Sequence, residues 1–142
     1  FLAQKISGKP FTVVGDGGQS RDFVFVTDVC DAFIKAAESE ISGEVFNVGA
    51  GEPQTILRLA ELLGGEIIYL PKRPGEPDIT CAYIFSINKM LGWEPRVSFE
   101  EGIKIMLDNI DYWRDAPVWT PESIEEATKT WFDFLGKEKT DV

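Results

Sequence analysis

The chain has 142 residues, of which 44% are hydrophobic, and it carries a net charge of −10 with no histidine. This length suits a single compact domain, and we treat residues 1–142 as one unit. The acidic charge argues against nucleic acid as a partner, which requires a basic surface, and no apolar run is long enough to predict a membrane span.

Short strands and helices alternate in the first part of the chain. Phe11–Val14 predicts a strand that ends in a glycine turn, and Asp22–Val26 predicts a second strand. Thr27 or Asp28 is a candidate N-cap for the helix that follows. The apolar residues of that helix recur at the spacing of one helical face: Val29, Ala32, Phe33 and Ala36. Val45–Val48 is apolar apart from Asn47, which predicts a strand covered on both faces.

The middle of the chain repeats this alternation. Thr55 is a candidate N-cap for a short helix that ends at Gly64. Glu66–Leu70 predicts another strand, and the proline-bounded PKRPGEPD that follows predicts an irregular loop. Strands alternating with helices indicate an α/β fold.

The C-terminal part is predicted to be helical. SINKMLGW predicts a short helix that ends at Gly92, and the spacing of Ser98 and Glu101 is that of a capping box. Thr120, followed by proline, predicts the start of a last helix, which ends at Gly136. The final segment, KEKTDV, is expected to fray.

The residue types exclude several kinds of chemistry. Without histidine, a histidine-based triad or general base is absent, and two distant cysteines, Cys30 and Cys81, do not make a zinc site. We read both cysteines as reduced thiols of a cytoplasmic protein. The glycine clusters GDGGQS and VGAGEPQT complete neither a dinucleotide fingerprint nor a P-loop, and both are read as turns.

Two arginines lie in loops that touch predicted strands. Arg21 and Arg73 each have an acidic residue close behind them, Asp22 and Glu76 respectively. Loops at strand ends are where α/β folds bind ligands, and two guanidinium groups can hold a diphosphate bidentately. The alternative is a pair of surface salt bridges, which contribute little, and the pattern alone favours that alternative.

Several motifs in order resemble one family. GDGGQSRDFVFVTDV, EVFNVGAG, KRPGEPD and INKMLGWEPRVSFEEG follow one another as in the extended short-chain dehydrogenases/reductases, the NAD-dependent nucleotide-sugar epimerases and dehydratases. The resemblance covers about residues 2 to 113. It implies a C-terminal part of an extended Rossmann-type enzyme, with a few short strands, several helices and a helical tail.

The resemblance also implies what this chain lacks. In the family, the glycine fingerprint and the Tyr-x-x-x-Lys catalytic pair lie in the N-terminal half, and this chain has neither motif. It opens without methionine, in what reads as a helix, and is expected to be a fragment of a longer chain. We therefore expect no catalytic residue, no metal site and no bound NAD(P) here, although the full-length enzyme would use NAD(P).

The family's substrate contacts carry over to particular positions. The resemblance implies that Arg21 and Arg73 contact the diphosphate of a nucleoside diphosphate sugar, with Asp22 fixing the direction of Arg21. It implies that Glu76 approaches the nucleoside ribose. Two further candidates lie on the strand along the base: Thr12 and Val13.

The sequence departs from the family pattern at AYIFS. The family's Asp and Ser, which cap the next helix, are replaced by Tyr83 and Phe85, so the cap is expected to pass to Ser86. The tail also extends beyond the common family ending. We read it as an amphipathic helix that closes over the domain, or as a surface for a partner. Its expected anchors are Trp131, Phe132 and Leu135.

Three readings of the whole chain remain open. The first is the substrate-binding part of a nucleotide-sugar epimerase or dehydratase that is inactive by itself. The second is a stand-alone module that binds nucleotide sugars without turnover, and the third is a plain α/β domain. Under the first reading, the face that packs against the Rossmann half would be open and would favour self-association.

Overall fold

A computed structural model describes residues 1–136 as an α/β arrangement. The predicted α/β class is confirmed, and the final six residues, for which fraying was expected, lie outside the described part. In chain order the elements are α1 (Leu2–Ile6), β1 (Phe11–Val14), β2 (Ser20–Arg21), α2 (Val26–Glu38), β3 (Gln54–Thr55), α3 (Ile56–Leu63), β4 (Ile67–Leu70), α4 (Phe85–Leu91), α5 (Phe99–Asp108), a 3-10 turn (Ile110–Trp113) and α6 (Pro121–Leu135). None of the described helices is both long and apolar enough to cross a membrane.

The strands form two small sheets. β1 and β4 pair in parallel, with Phe11 opposite Ile67, and β2 and β3 pair antiparallel. Because β1 and β4 are parallel, their carboxyl ends lie side by side. The loop after β1 and the loop after β4, residues 71–78, therefore leave the sheet at one edge, where Gly15 N–H donates to the Leu70 carbonyl at 2.8 Å.

Two hydrophobic clusters hold the elements together. The first is built on Phe11 with Ala60 and Leu63 of α3, and the second on Trp93 with two neighbours from α2 and α4. Trp93 is completely buried, and its indole N–H donates to the carbonyl of Asp28 at 3.0 Å. The second cluster therefore fixes α2 against the segment that precedes α5.

Three of the predicted helix caps are present where the sequence indicated them. The side chains of Thr55, Ser98 and Thr120 each accept a backbone N–H from three residues further on, at the starts of α3, α5 and α6. Gly64 and Gly92 follow α3 and α4 with positive φ, a region that glycine enters without steric cost. β1 has the predicted bounds, and β4 begins one residue later than predicted.

The predicted strand Asp22–Val26 is wrong. The paired residues are Ser20–Arg21, and Val26 already belongs to α2. Neither Thr27 nor Asp28 is the N-cap of that helix, because the cap position is Phe25 and no side chain accepts there. The Asp28 carboxylate, 4% exposed, instead accepts the backbone N–H groups of Arg96 and Val97, 3.0 Å away in each case.

The predicted strand Val45–Val48 is also wrong. These residues join no ladder within the described chain, and Val45 is 90% exposed. Phe46 and Val48 pack on the Trp93 cluster, so one side of the segment is covered and the other is open. An apolar run indicates a strand only when another strand is available to pair with it.

Two helix predictions also need correction. Ala32 is buried as the face of α2 predicted, but Phe33 is 72% exposed and Ala36 is exposed. Ser86 does not cap α4, because the helix begins one residue earlier, with Ile84 at the cap position and no side-chain bond.

Candidate functional site

The candidate site lies where the parallel strands end. Arg21, at the end of β2, donates from Nη2 to the Glu76 Oε1 atom at 2.9 Å and from Nη1 to the Ser20 carbonyl at 2.7 Å. The side chains of Arg21 and Glu76 are only 25% and 24% exposed. This ion pair joins the end of β2 to the loop after β4, and partial burial screens it less than a surface pair.

Asp22 does not orient Arg21, contrary to the sequence prediction. Its carboxylate accepts the backbone N–H groups of Ala50 and Ala82, each at 2.8 Å, and that of Gly51 at 3.1 Å to both oxygens. The negative charge of Asp22 is therefore committed to three amides of two other segments. Glu76 is the residue that holds Arg21.

Asp22 also explains why the glycine loop that follows residue 48 is not a phosphate site. In a dinucleotide fold, the free N–H groups of such a loop face the pyrophosphate. Here the N–H groups of Ala50 and Gly51 are taken by a carboxylate of the chain itself, and the loop leads into β3 rather than directly into a helix. A side chain at Gly49 would lie 2.5 Å from Asp22 Oδ2, so the packing is tight as well. The residues of this loop therefore do not fit the pyrophosphate of NAD(P).

Arg73 lies in a different environment from Arg21. It lines a cleft of about 590 Å³ between the ends of β1 and β4 and the helix α6. Together with Thr12 it also lines a neighbouring cavity of about 320 Å³. Neither cavity includes Arg21, so the two arginines are linked through the 71–78 loop rather than through one shared pocket.

The two candidates on β1 differ from each other. Thr12 is half-buried, and its Oγ1 atom accepts a hydrogen bond from Gln4 Nε2 at 3.0 Å. Val13 is completely buried. Its side chain faces the core rather than a ligand, because side chains alternate along a strand.

A third cavity, of about 250 Å³, lies between the glycine turn after β1 and the 71–78 loop. Lys72 and Asp78 form an exposed ion pair at its rim, with 2.8 Å between Nζ and Oδ1. The hydrogen bond from Lys72 lowers the pKa of the Asp78 carboxyl, and the same contact raises the pKa of Lys72. Among residues 1–136, no cluster of three or more acidic or cysteine side chains is close enough to hold a metal ion.

The tail helix contacts the loop that carries Arg73. Trp131 donates its indole N–H to the Pro74 carbonyl at 2.7 Å, and Phe132 lines the 590 Å³ cleft. Leu135 Cδ1 lies 3.3 Å from the position that a β-carbon would take at Gly75. Trp131 and Leu135 remain 44% and 52% exposed, so these expected anchors contact the loop without being enclosed by it.

The comparisons with known proteins agree on one family. Residues 1–49 match the sequence profile described as the NAD dependent epimerase/dehydratase family. UDP-glucuronic acid decarboxylase 2 of Arabidopsis thaliana is 34% identical over 113 residues, which are 75% of this chain and 25% of that protein. The chain thus spans about a quarter of the length of that relative.

Solved structures give the same result. The UDP-glucuronic acid 4-epimerase of Bacillus cereus, in complex with UDP-glucuronic acid and NAD, superposes with a TM-score of 0.72 and 32% identity over 78% of this chain and 38% of that one. The UDP-glucose 4-epimerase of Thermotoga maritima, with UDP-glucose, gives a TM-score of 0.70 and 34% identity over 80% and 37%. The chain belongs to the NAD-dependent epimerase/dehydratase family. Within that family it corresponds to a C-terminal portion.

Sequence reasoning missed the roles of Asp22 and the partner of Arg21. Asp22 directly follows the only arginine near the turn, and this adjacency suggested an ion pair. The usable signal was the pair of glycines at 49 and 51, since a tight backbone turn with free N–H groups attracts a carboxylate. Glu76 lies 55 residues from Arg21, and no local pattern connects the two.

Proposed function

We propose that this chain is the nucleotide-sugar-binding part of an NAD(P)-dependent epimerase or 4,6-dehydratase resembling UDP-glucose 4-epimerase. We also propose that residues 1–142 act as one domain and do not catalyse hydride transfer themselves. The observation that carries the proposal is an ion pair between Arg21, at the end of β2, and Glu76, in the 71–78 loop. The same loop also bears Arg73. The UDP-sugars bound by the two related epimerase structures support the ligand class.

The geometry suggests how the ligand is held. Arg21 uses Nη1 and Nη2 for protein contacts, so Glu76 fixes the plane of the guanidinium, and the remaining N–H groups are available to a diphosphate. Arg73, on the same loop, supplies the second cation. One oxygen of Glu76 is used by Arg21, and the other can accept a ribose hydroxyl. Thr12 lies on the strand proposed for the base.

The cofactor and compartment follow from the same proposal. NAD(P) would be bound by other parts of the full-length enzyme, and we do not expect this chain to bind it measurably. Cys30 and Cys81 are both free and exposed, which suits the reducing cytoplasm. No nucleic-acid partner is expected of so acidic a chain.

The two arginines provide the direct test of this proposal. We expect UDP-glucose to bind the chain weakly, with a Kd in the millimolar range, about −4 kcal/mol. Arg21→Ala and Arg73→Ala should each weaken binding about tenfold or more, because a hydrogen bond to a charged group contributes about 1.5–3 kcal/mol. Arg21→Lys should weaken it almost as much, since lysine cannot reproduce the forked contact. Ligand-observed NMR at fixed salt measures the affinities.

Arg114→Ala is the matched control for the alanine variants, because it removes the same positive charge. Arg114 is exposed, pairs with Asp111 on the surface, and lines none of the three cavities described above. This variant should bind like the wild type. The proposal is contradicted if the Arg21 and Arg73 variants also bind like the wild type, or if inorganic phosphate competes as well as UDP-glucose does.

Self-association is a further part of the proposal, with a second copy as the partner. Along α2, Val26, Cys30, Phe33 and Ala37 recur on one helical face, and all four are exposed. Val26 and Phe33 are 63% and 72% exposed, and contiguous apolar surface of this kind drives association. We expect sedimentation velocity to show concentration-dependent oligomers. Phe33→Glu should give a monomer, while Lys104→Glu on the surface of α5 should not.

The contrary result is equally clear. If the wild type sediments as a monomer at millimolar concentration and Phe33→Glu leaves the sedimentation coefficient unchanged, α2 does not form a self-association surface. Ligand binding at Arg21 and Arg73 would be unaffected by that result.

A further inference from the structure

The cleft beside Arg73 has an acidic wall. The wall is the helix α6, and four of its acidic side chains line the cleft: Glu122, Glu125, Glu126 and Asp133. Lys129, which also lines the cleft, is the only basic residue of that helix, so α6 carries a net charge of −3, from four acidic residues and one lysine. A diphosphate that approaches Arg73 through this cleft is repelled by the negative charge of α6.

The helix is lightly attached to the domain. No residue of α6 is buried, in contrast to the helices α2 to α5. Its side-chain hydrogen bond to another element is that of Trp131 with the Pro74 carbonyl. The N-terminus of α6 closes with its own capping box, in which Thr120 and Ser123 satisfy each other's backbone N–H groups. The helix start therefore needs no partner from the rest of the fold.

The hydrogen bond from Trp131 joins α6 directly to the 71–78 loop. Pro74 follows Arg73 and precedes Glu76 by two residues, so the Trp131 bond holds the backbone between the two proposed ligand contacts. Leu135 packs on Gly75 in the same turn. A movement of α6 therefore changes both the electrostatic field at Arg73 and the freedom of its loop.

We propose that α6 is a displaceable acidic strap that sets the affinity of Arg73 for anions. Docked, its carboxylates oppose the charge of a diphosphate in the cleft. When α6 is displaced, the cleft opens and Arg73 becomes more accessible. The part of this inference that concerns the diphosphate rests on the proposed function, whereas the displacement of α6 does not.

The electrostatic part is tested with inorganic pyrophosphate and with UDP. Glu125→Gln/Glu126→Gln should bind each probe about three- to tenfold more tightly than the wild type at low salt, and the gain should shrink at high salt because exposed charges are screened. The matched control is Glu38→Gln/Glu40→Gln, which changes the net charge equally at exposed positions away from the cleft. It should change affinity less than twofold. Equal affinities of the two double variants would overturn the electrostatic role.

The displacement is tested without a ligand. Phenylglyoxal modifies accessible arginines, and peptide mapping gives the rate at Arg73 relative to exposed Arg114. Trp131→Phe keeps an aromatic ring but removes the N–H that binds Pro74, so Arg73 should react several-fold faster, while Arg114 should not change. An unchanged Arg73 rate would overturn the strap. If neither probe binds the wild type, the diphosphate site fails and the electrostatic role with it, while the phenylglyoxal rates still decide whether α6 is displaceable.

Discussion

Asp22→Ala is expected to lower the free energy of unfolding by about 3 kcal/mol or more. The side chain of Asp22 accepts three backbone N–H groups, from Ala50, Gly51 and Ala82. Hydrogen bonds to a charged group contribute about 1.5–3 kcal/mol each, and removing the acceptor leaves the amides unpaired. The contributions of neighbouring hydrogen bonds are not additive, so the total is not obtained by summing them. Urea unfolding followed by circular dichroism measures the change.

Two further variants define the cause of that loss. Asp22→Asn keeps the shape but replaces one accepting oxygen by an NH₂ group, so it should destabilise the chain less than alanine does. Asp115→Ala removes one exposed carboxylate that forms no hydrogen bond within the described part of the chain, and it should change stability by less than about 0.5 kcal/mol. If Asp22→Ala and Asp115→Ala have the same urea midpoint of unfolding, the Asp22 carboxylate does not hold the three segments together.

Trp93→Ala is expected to lower the free energy of unfolding by about 3–5 kcal/mol. Trp93 is the largest completely buried side chain, and truncation to alanine removes its packing and leaves a cavity. It also removes the N–H that satisfies the Asp28 carbonyl. Trp93→Phe should cost less than alanine, about 1–3 kcal/mol, because a ring still fills much of the site while the carbonyl loses its donor.

Trp119→Ala is the matched control, because the Trp119 side chain is 54% exposed. The hydrogen bond from Gln4 goes to the backbone carbonyl of Trp119, so the substitution keeps it. It should lower the free energy of unfolding by less than about 1 kcal/mol. Loss of the near-ultraviolet circular dichroism of a buried tryptophan should accompany both Trp93 variants but not Trp119→Ala. Equal stabilities of Trp93→Ala and Trp119→Ala would show that the second hydrophobic cluster does not support the fold.

Features that depend on a few neighbouring residues were predictable from the sequence. Thr55, Ser98 and Thr120 cap their helices because a short side-chain oxygen reaches the free N–H groups three residues on, whatever the rest of the fold does. Gly64 and Gly92 end helices for a similarly local reason. The family was recognisable because its motifs follow one another in order along the chain.

Strand positions were less predictable, because a strand needs a partner as well as a suitable composition. β1 and β4 pair with each other and lie where predicted, to within one residue. Asp22–Val26 and Val45–Val48 have the composition of strands but join no ladder among residues 1–136, and the pairing falls instead on Ser20–Arg21. Apolar composition shows that a segment can form a strand, and the tertiary fold determines whether a neighbour is in register.

The candidate site divides in the same way. The sequence by itself determined that Arg73 lies in a proline-shaped loop after a strand and that Thr120 caps α6, whereas Arg21, which was predicted to lie in a loop, belongs to β2. Only the tertiary structure decided that Glu76, not Asp22, binds Arg21, and that α6 faces Arg73. The physical reason is distance along the chain. A cap or turn is determined within a few residues, whereas an ion pair across 55 residues forms only after β2 and the loop after β4 have been brought together by the fold.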